Sequence, residues 1–182
     1  MARLPYLSPE DLAEGDRDLL KRMITLHRCL VNSPGMARAF GGLGQYIRYG
    51  SKLDPRLREL AILQIGWLAR SAYEWSHHVK IGKDFGVTDA DIRALIADTV
   101  GEANGLEPVA KLVVRGAREI HAGAMSGETF SALQAHLDAE RLVDLTVTAS
   151  FYCAVVRTLA TLQIDVEADY QPYLEAYPLP PA

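Results

Sequence analysis

The sequence predicts an all-α protein of about seven or eight helices. Apolar residues recur at helical spacing in segment after segment, and the breaks between segments carry helix-start chemistry: Ser, Thr or Asp followed by Pro or acids. No segment alternates apolar and polar residues between turn dipeptides, so no strand is expected. A chain of 182 residues suits a single domain spanning 1–182, with an extended arm at 1–8 and a Pro/Tyr-rich tail at 169–182.

In chain order, Ser8-Pro9-Glu10-Asp11 reads as a helix start with Ser as N-cap and Pro at the first position. Gly15-Asp16 interrupts that helix, and Asp16 to Val31 shows Leu19, Leu20, Met23, Ile24, Leu26 and Leu30 at helical spacing. Asn32-Ser33-Pro34-Gly35 opens a helix to about Tyr49. Its glycines at 41, 42 and 44 each cost about 1 kcal/mol relative to Ala. Close packing against another backbone is the expected offset, with the approach of a ligand as the second reason. After residue 86, Thr88 caps a short helix to about Ala103, Pro108 starts another to about Ala122, and Glu128–Leu137 forms a third. A long apolar helix runs from Ala139 to about Gln163, and the tail that follows reads as extended.

The chain is organised around residues 54–86. Asp54-Pro55 starts a helix in which nearly every residue from Leu57 to Leu68 is apolar, the pattern of a helix buried on all sides. Glu59 sits inside that run and must be paired, hydrogen-bonded or protonated. Its simplest role is to neutralise Arg56, Arg58 or Arg70. The next helix starts at Ser71, and Ser71 with Glu74 has the spacing of a reciprocal capping box. Glu74 and His78 lie four residues apart on one face, and Gly86 ends the helix. Glu59, Glu74 and His78 are therefore the candidate acid–base residues, converging near a helix N-terminus that favours negative charge. Arg70, Ser71, Tyr73 and His77 are the candidate substrate contacts, Arg70 being best suited to a carboxylate. Trp67, Tyr73 and Trp75 read more simply as packing residues, and Tyr46 and Tyr152 are further candidate pocket hydroxyls.

The sequence R-E-L-A-I-L, followed by S-x-Y-E-W-x-x-H-V, resembles the carboxymuconolactone decarboxylase-like superfamily, which includes the AhpD-like alkylhydroperoxidases. The resemblance is best over about 50–105. It implies an AhpD-like antiparallel helical bundle that forms homo-oligomers, trimers or hexamers, with sites near subunit interfaces. In the peroxidase branch a Glu is followed twelve residues later by C-x-x-C, and then by His four residues after the second Cys. Here Glu59 and His78 match, while Ser71 and Glu74 occupy the two cysteine positions. The family label implies peroxiredoxin-type activity, but that chemistry needs the missing thiols. The decarboxylase branch implies lyase chemistry: decarboxylation, or proton transfer in a lactone or double bond, on a small anionic substrate. A non-catalytic ligand-binding oligomer is the third reading.

The remaining features exclude function classes. A net charge of −4 gives no footprint for nucleic acid. No apolar run of membrane length is free of charges, and MARLPYLSPEDL lacks an apolar signal core, so a cytoplasmic protein is expected. Cys29 and Cys153 stand in no motif and read as reduced, buried thiols. Adjacent histidines on a helix point about 100° apart, so His77 and His78 do not share an ion; no metal and no cofactor are expected.

Overall fold

The computed structural model describes residues 2–180. Met1, at the start of the expected arm, and Pro181 and Ala182, at the end of the expected tail, lie outside the described residues. Nine α-helices follow in order: α1 Thr25–Leu30, α2 Pro34–Tyr49, α3 Pro55–Leu68, α4 Ala72–Asp84, α5 Asp89–Thr99, α6 Pro108–Ala122, α7 Gly127–Gln134, α8 Ala139–Leu162 and α9 Gln171–Ala176. Short 3₁₀ turns at Pro9–Asp11, Glu14–Leu20 and Ala168–Tyr170 complete the order, and the described residues contain no strand.

α3 is the axis of the bundle, packed against α4, α5, α6 and α8. Leu60, Ala61, Leu63 and Ile65 on it are fully buried, as an all-round apolar helix demands. Asp54 caps it by accepting the Leu57 N–H at 3.0 Å. Two glycines let α3 and α4 come close. A side chain at Gly66 would meet the Trp75 backbone at 3.3 Å, and one at Gly82 would meet Val87 at 3.2 Å and the Glu59 Cβ at 3.6 Å. Gly82 thus sits one turn beyond His78, where α4 must approach Glu59. α8 is long and apolar enough to cross a membrane by length alone. It packs instead on α3 and α6, and Asp144 near its start accepts hydrogen bonds from Ser51 Oγ and the Lys52 N–H.

Three local expectations are corrected. The stretch from Asp16 to Val31 is not one helix. It breaks at 21–24 because the Thr25 N–H and hydroxyl bond the distant Glu167 carboxylate and Asp165 carbonyl at 2.7 and 2.8 Å. The tail is helical over Ala168–Ala176, where an extended segment was expected. It folds back so that the Trp75 indole N–H donates to the Tyr177 carbonyl at 2.8 Å. The N-terminal arm likewise lies on its own chain, with the Arg3 N–H on Leu162 O and the Leu7 N–H on Arg28 O.

The third correction concerns α2. No heavy atom lies within 4 Å of where a side chain would stand at Gly41 or Gly42, and at Gly44 only the Phe151 ring does, at 3.9 Å. Close packing within the chain does not explain these glycines. Gly42→Ala should therefore raise stability by about 1 kcal/mol, read by thermal or denaturant unfolding. A loss of stability together with a change of mass in solution would show that another copy of the chain packs there.

Candidate functional site

Four buried side chains from α3 and α4 form a continuous line of charge. Arg58 and Glu59 are 2% and 1% exposed in the middle of the core helix. The Arg58 Nε–H and Nη2–H both donate to Glu59 Oε1, at 3.1 and 3.0 Å, and Nη1–H donates to the Arg48 carbonyl on α2 at 3.0 Å. Glu59 Oε2 then meets His78 Nδ1 at 2.6 Å, and His78 Nε2 meets Glu74 Oε1 at 2.9 Å. Neighbours on a helix diverge by about 100°, but the guanidinium is long enough to fold back onto the next residue. The α2 carbonyl and the Phe85 ring, 4.5 Å below the guanidinium carbon, fix its direction.

Of the three arginines considered for Glu59, Arg58 is the partner. Arg56 is taken by Asp91 and Glu107, and Arg70 is exposed in the turn between α3 and α4 with φ 49°, in the left-handed region. The reciprocal capping box is half formed. Ser71 Oγ accepts the Glu74 N–H at 3.4 Å, but the Ser71 N–H bonds Gly66 O, which leaves the Glu74 carboxylate to His78.

The charges decide the state of His78. Burial alone would lower its pKa, but Glu59 and Glu74 outweigh burial and raise it from 6.5 to about 9. Glu59 answers in kind: burial would raise it, yet His78 and then Arg58 hold it below the usual carboxylate range. His77, one residue away, is the opposite case. Burial outweighs Glu167 and lowers its pKa, and the ring meets Glu167 Oε2 at 2.8 Å, stacked between Tyr73 and Tyr170 at 4.0 and 3.5 Å.

A pH effect on stability follows. A raised histidine pKa stabilises the folded state fully below about pH 6.5, and that contribution is lost as pH rises through about 9. The lowered Glu59 acts in the other direction, stabilising above about pH 4.5 and losing its contribution as pH falls. The melting temperature should therefore decline from neutral pH through about 9, and Glu59→Gln should flatten that decline. An equal slope in both proteins would contradict the assignment.

Glu74, His77, His78 and Tyr73 line a cavity of about 140 Å³ between α2, α4 and α8. Glu59 lies behind His78 and is not part of the lining; Ser71 and Arg70 are not either. Tyr73 donates to Glu167 at 3.3 Å, so Tyr73 and His77 are both tied to the C-terminal segment. Tyr152 does reach the cavity, edge-on to His78 at 5.0 Å, whereas Tyr46 is exposed outside it. Trp67 and Trp75 are packing residues, 5.1 Å apart. Cys29 and Cys153 are buried away from the cavity, and burial raises both thiol pKa values. Among the described residues no group of three or more His, Cys, Asp or Glu side chains is arranged to hold a metal.

The sequence reading missed Arg22, His27 and Arg48 in the cavity wall and Glu167 behind it. Their helices or turns reach α4 only in the folded chain, and no spacing signal links them to it.

Residues 34–105, from α2 to just beyond α5, match the model of the carboxymuconolactone decarboxylase family. Over that segment, which is less than half of the chain, the sequence is similar to the carboxymuconolactone decarboxylase family. No curated protein matches the sequence significantly. Among solved structures, the chain is similar to an uncharacterized peroxidase-related protein with an alkylhydroperoxidase AhpD core from Ralstonia eutropha JMP134. The identity is 15%, 95% of each chain is covered and the TM-score is 0.81. It is also similar to the debrominase Bmp8 bound to 2,3,4-tribromopyrrole, at 16% identity, 96% and 98% coverage and a TM-score of 0.75. A protein of unknown function from Agrobacterium tumefaciens aligns at 19% identity, over 76% of this chain and 94% of that one, with a TM-score of 0.67. At these identities the structural likenesses establish the AhpD-like helical fold. The helix pair α3–α4 carries the whole charged line, and both helices lie inside the matched segment.

Proposed function

We propose that this protein is an acid–base enzyme that moves a proton on a small carboxylated molecule, by decarboxylation or by shifting a lactone or alkene double bond. The observation that carries the reading is the clamp on His78, with Glu59 at 2.6 Å behind it and Glu74 at 2.9 Å in front, Glu74 standing at the cavity. Both ring nitrogens of His78 are engaged, so Glu74 is the group placed to touch substrate and His78 the group that shares its proton. In an isomerisation, Glu74 takes a proton from the carbon beside a carbonyl, the C–H pair moves into the enolate, and the same proton returns at a second carbon. In a decarboxylation, the C–C bond breaks to release carbon dioxide, and the carbanion that forms takes the proton held between Glu74 and His78. The imidazolium beside Glu74 stabilises the negative charge that develops, and Glu59 with Arg58 keeps that imidazolium charged.

Thiol-dependent peroxide reduction is the reading that the residues disfavour. Ser71 and Glu74 supply no sulfur, and both cysteines are buried outside the cavity. Turnover of carboxylated lactones and keto acids by the purified protein, with Glu74→Gln as control, tests the proposal. Dithiol-dependent hydroperoxide consumption would reverse it, and binding without turnover would leave a ligand-binding protein. Self-association into a trimer or hexamer belongs to the same proposal, and α2 is the helix to watch, because Met36, Leu43, Tyr46 and Tyr49 are exposed on it.

A further inference from the structure

We propose that Arg48, assisted by Arg22, is the anchor for the anionic group of the substrate, facing the Glu74–His78 pair across the cavity. The inference rests on the acid–base reading of that cavity and adds the residues that would select the substrate. Both arginines line the cavity. Among the described residues no side-chain partner holds either of them, whereas Arg56, Arg58 and Arg118 are each paired to carboxylates. Arg48 is half-buried and Arg22 exposed, and an unpaired, half-buried guanidinium such as that of Arg48 is a poor structural device and a good carboxylate receptor, because its fork matches both carboxylate oxygens.

The electrostatic reach of Arg48 agrees with that placement. Burial, then Arg22 and Arg48, lower the His27 pKa to about 4, and Arg48 also acts on the Tyr152 hydroxyl, which Glu74 and Glu59 act on from the other side. Apolar groups line the same cavity: Phe40 and Phe151 pack at 4.7 Å, and Gly41 and Gly44 present bare α2 backbone. This gives Gly41 and Gly44 a role that close packing within the chain does not. A volume of about 140 Å³ is that of a cavity filled by a single six-membered ring. A second cavity of about 340 Å³ shares Arg22, His27, Phe40, Gly41 and Gln45 with the first, so Arg22 stands where the two meet. The ligand class is a compact, one-ring monocarboxylate, met by Arg22 on the way in and held by Arg48.

Titrating benzoate and its neutral amide, benzamide, into the full chain by calorimetry tests the anchor. Wild type should bind benzoate saturably and more tightly than benzamide. Arg48→Gln should weaken benzoate roughly 10-fold to 100-fold and leave benzamide unchanged. Folding should survive, because the contact from Arg58 uses the Arg48 backbone carbonyl, and Arg48→Lys, which keeps the charge and loses the fork, should fall between. Absence of saturable benzoate binding to wild type at millimolar concentration would overturn the proposal. So would unchanged binding by Arg48→Gln, or weakening by Arg70→Gln alone. Turnover is not read in this experiment, so failure of the anchor is distinct from failure of Glu74 as the acid–base group.

Discussion

Glu74→Gln should lower kcat/KM on the substrate by roughly 10²-fold to 10⁴-fold while helix content and melting stay near those of wild type. The substitution keeps the shape and an oxygen that accepts the His78 Nε2–H at the 2.9 Å contact, but it removes the carboxylate that takes and returns the proton. His78→Gln should cost a similar factor for a different reason. It disconnects Glu74 from Glu59 and withdraws the positive charge that stabilises an enolate in the cavity. The pH profiles separate the two roles. The wild-type rate should fall as pH rises through about 9, where His78 loses its proton, and residual activity of His78→Gln should lack that fall. Full turnover by Glu74→Gln would remove Glu74 from the mechanism.

Arg58→Met should be the most destabilising single change near the site, by roughly 3–5 kcal/mol. Arg58 and Glu59 are both almost wholly buried, and removing the cation leaves Glu59 with His78 alone against a large desolvation cost. For a chain of this size each kcal/mol shifts the melting temperature by about 2–4 °C, so a fall of roughly 6–20 °C is expected. The double variant Arg58→Met/Glu59→Gln should recover part of that loss, since it removes the orphaned charge along with its partner. A double-mutant cycle measures the coupling directly. A fall below about 1 kcal/mol in Arg58→Met would mean that Glu59 is neutralised by something other than Arg58.

Much of this molecule is legible before folding. The caps at Asp54, Ser71 and Thr88 and the apolar run of α3 describe the central helices, whose observed spans are Pro55–Leu68, Ala72–Asp84 and Asp89–Thr99. The contact of Glu59, Glu74 and His78 was legible as well. Glu74 and His78 share a helix face by spacing, and a carboxylate inside an apolar run has to find a partner. Where the reading failed, a distant residue had intervened. Glu167 accepts from Thr25 where a new helix starts in place of a continuous one, and it occupies Tyr73 and His77, two of the expected substrate contacts. Tyr177 accepts from Trp75 and draws the proline-rich tail onto the body.

Local sequence, then, determined the helices, the burial of α3 and the pairing of Glu74 with His78, because each of these depends on residues within one or two helical turns. Only the tertiary structure decided that Arg58 holds Glu59, that the pKa of His78 is raised while that of His77 is lowered, and that Arg22, His27 and Arg48 line the same cavity as Glu74. Those outcomes turn on which charges lie within a few ångströms once water is excluded. Contacts between segments set that distance, and periodicity along the chain does not.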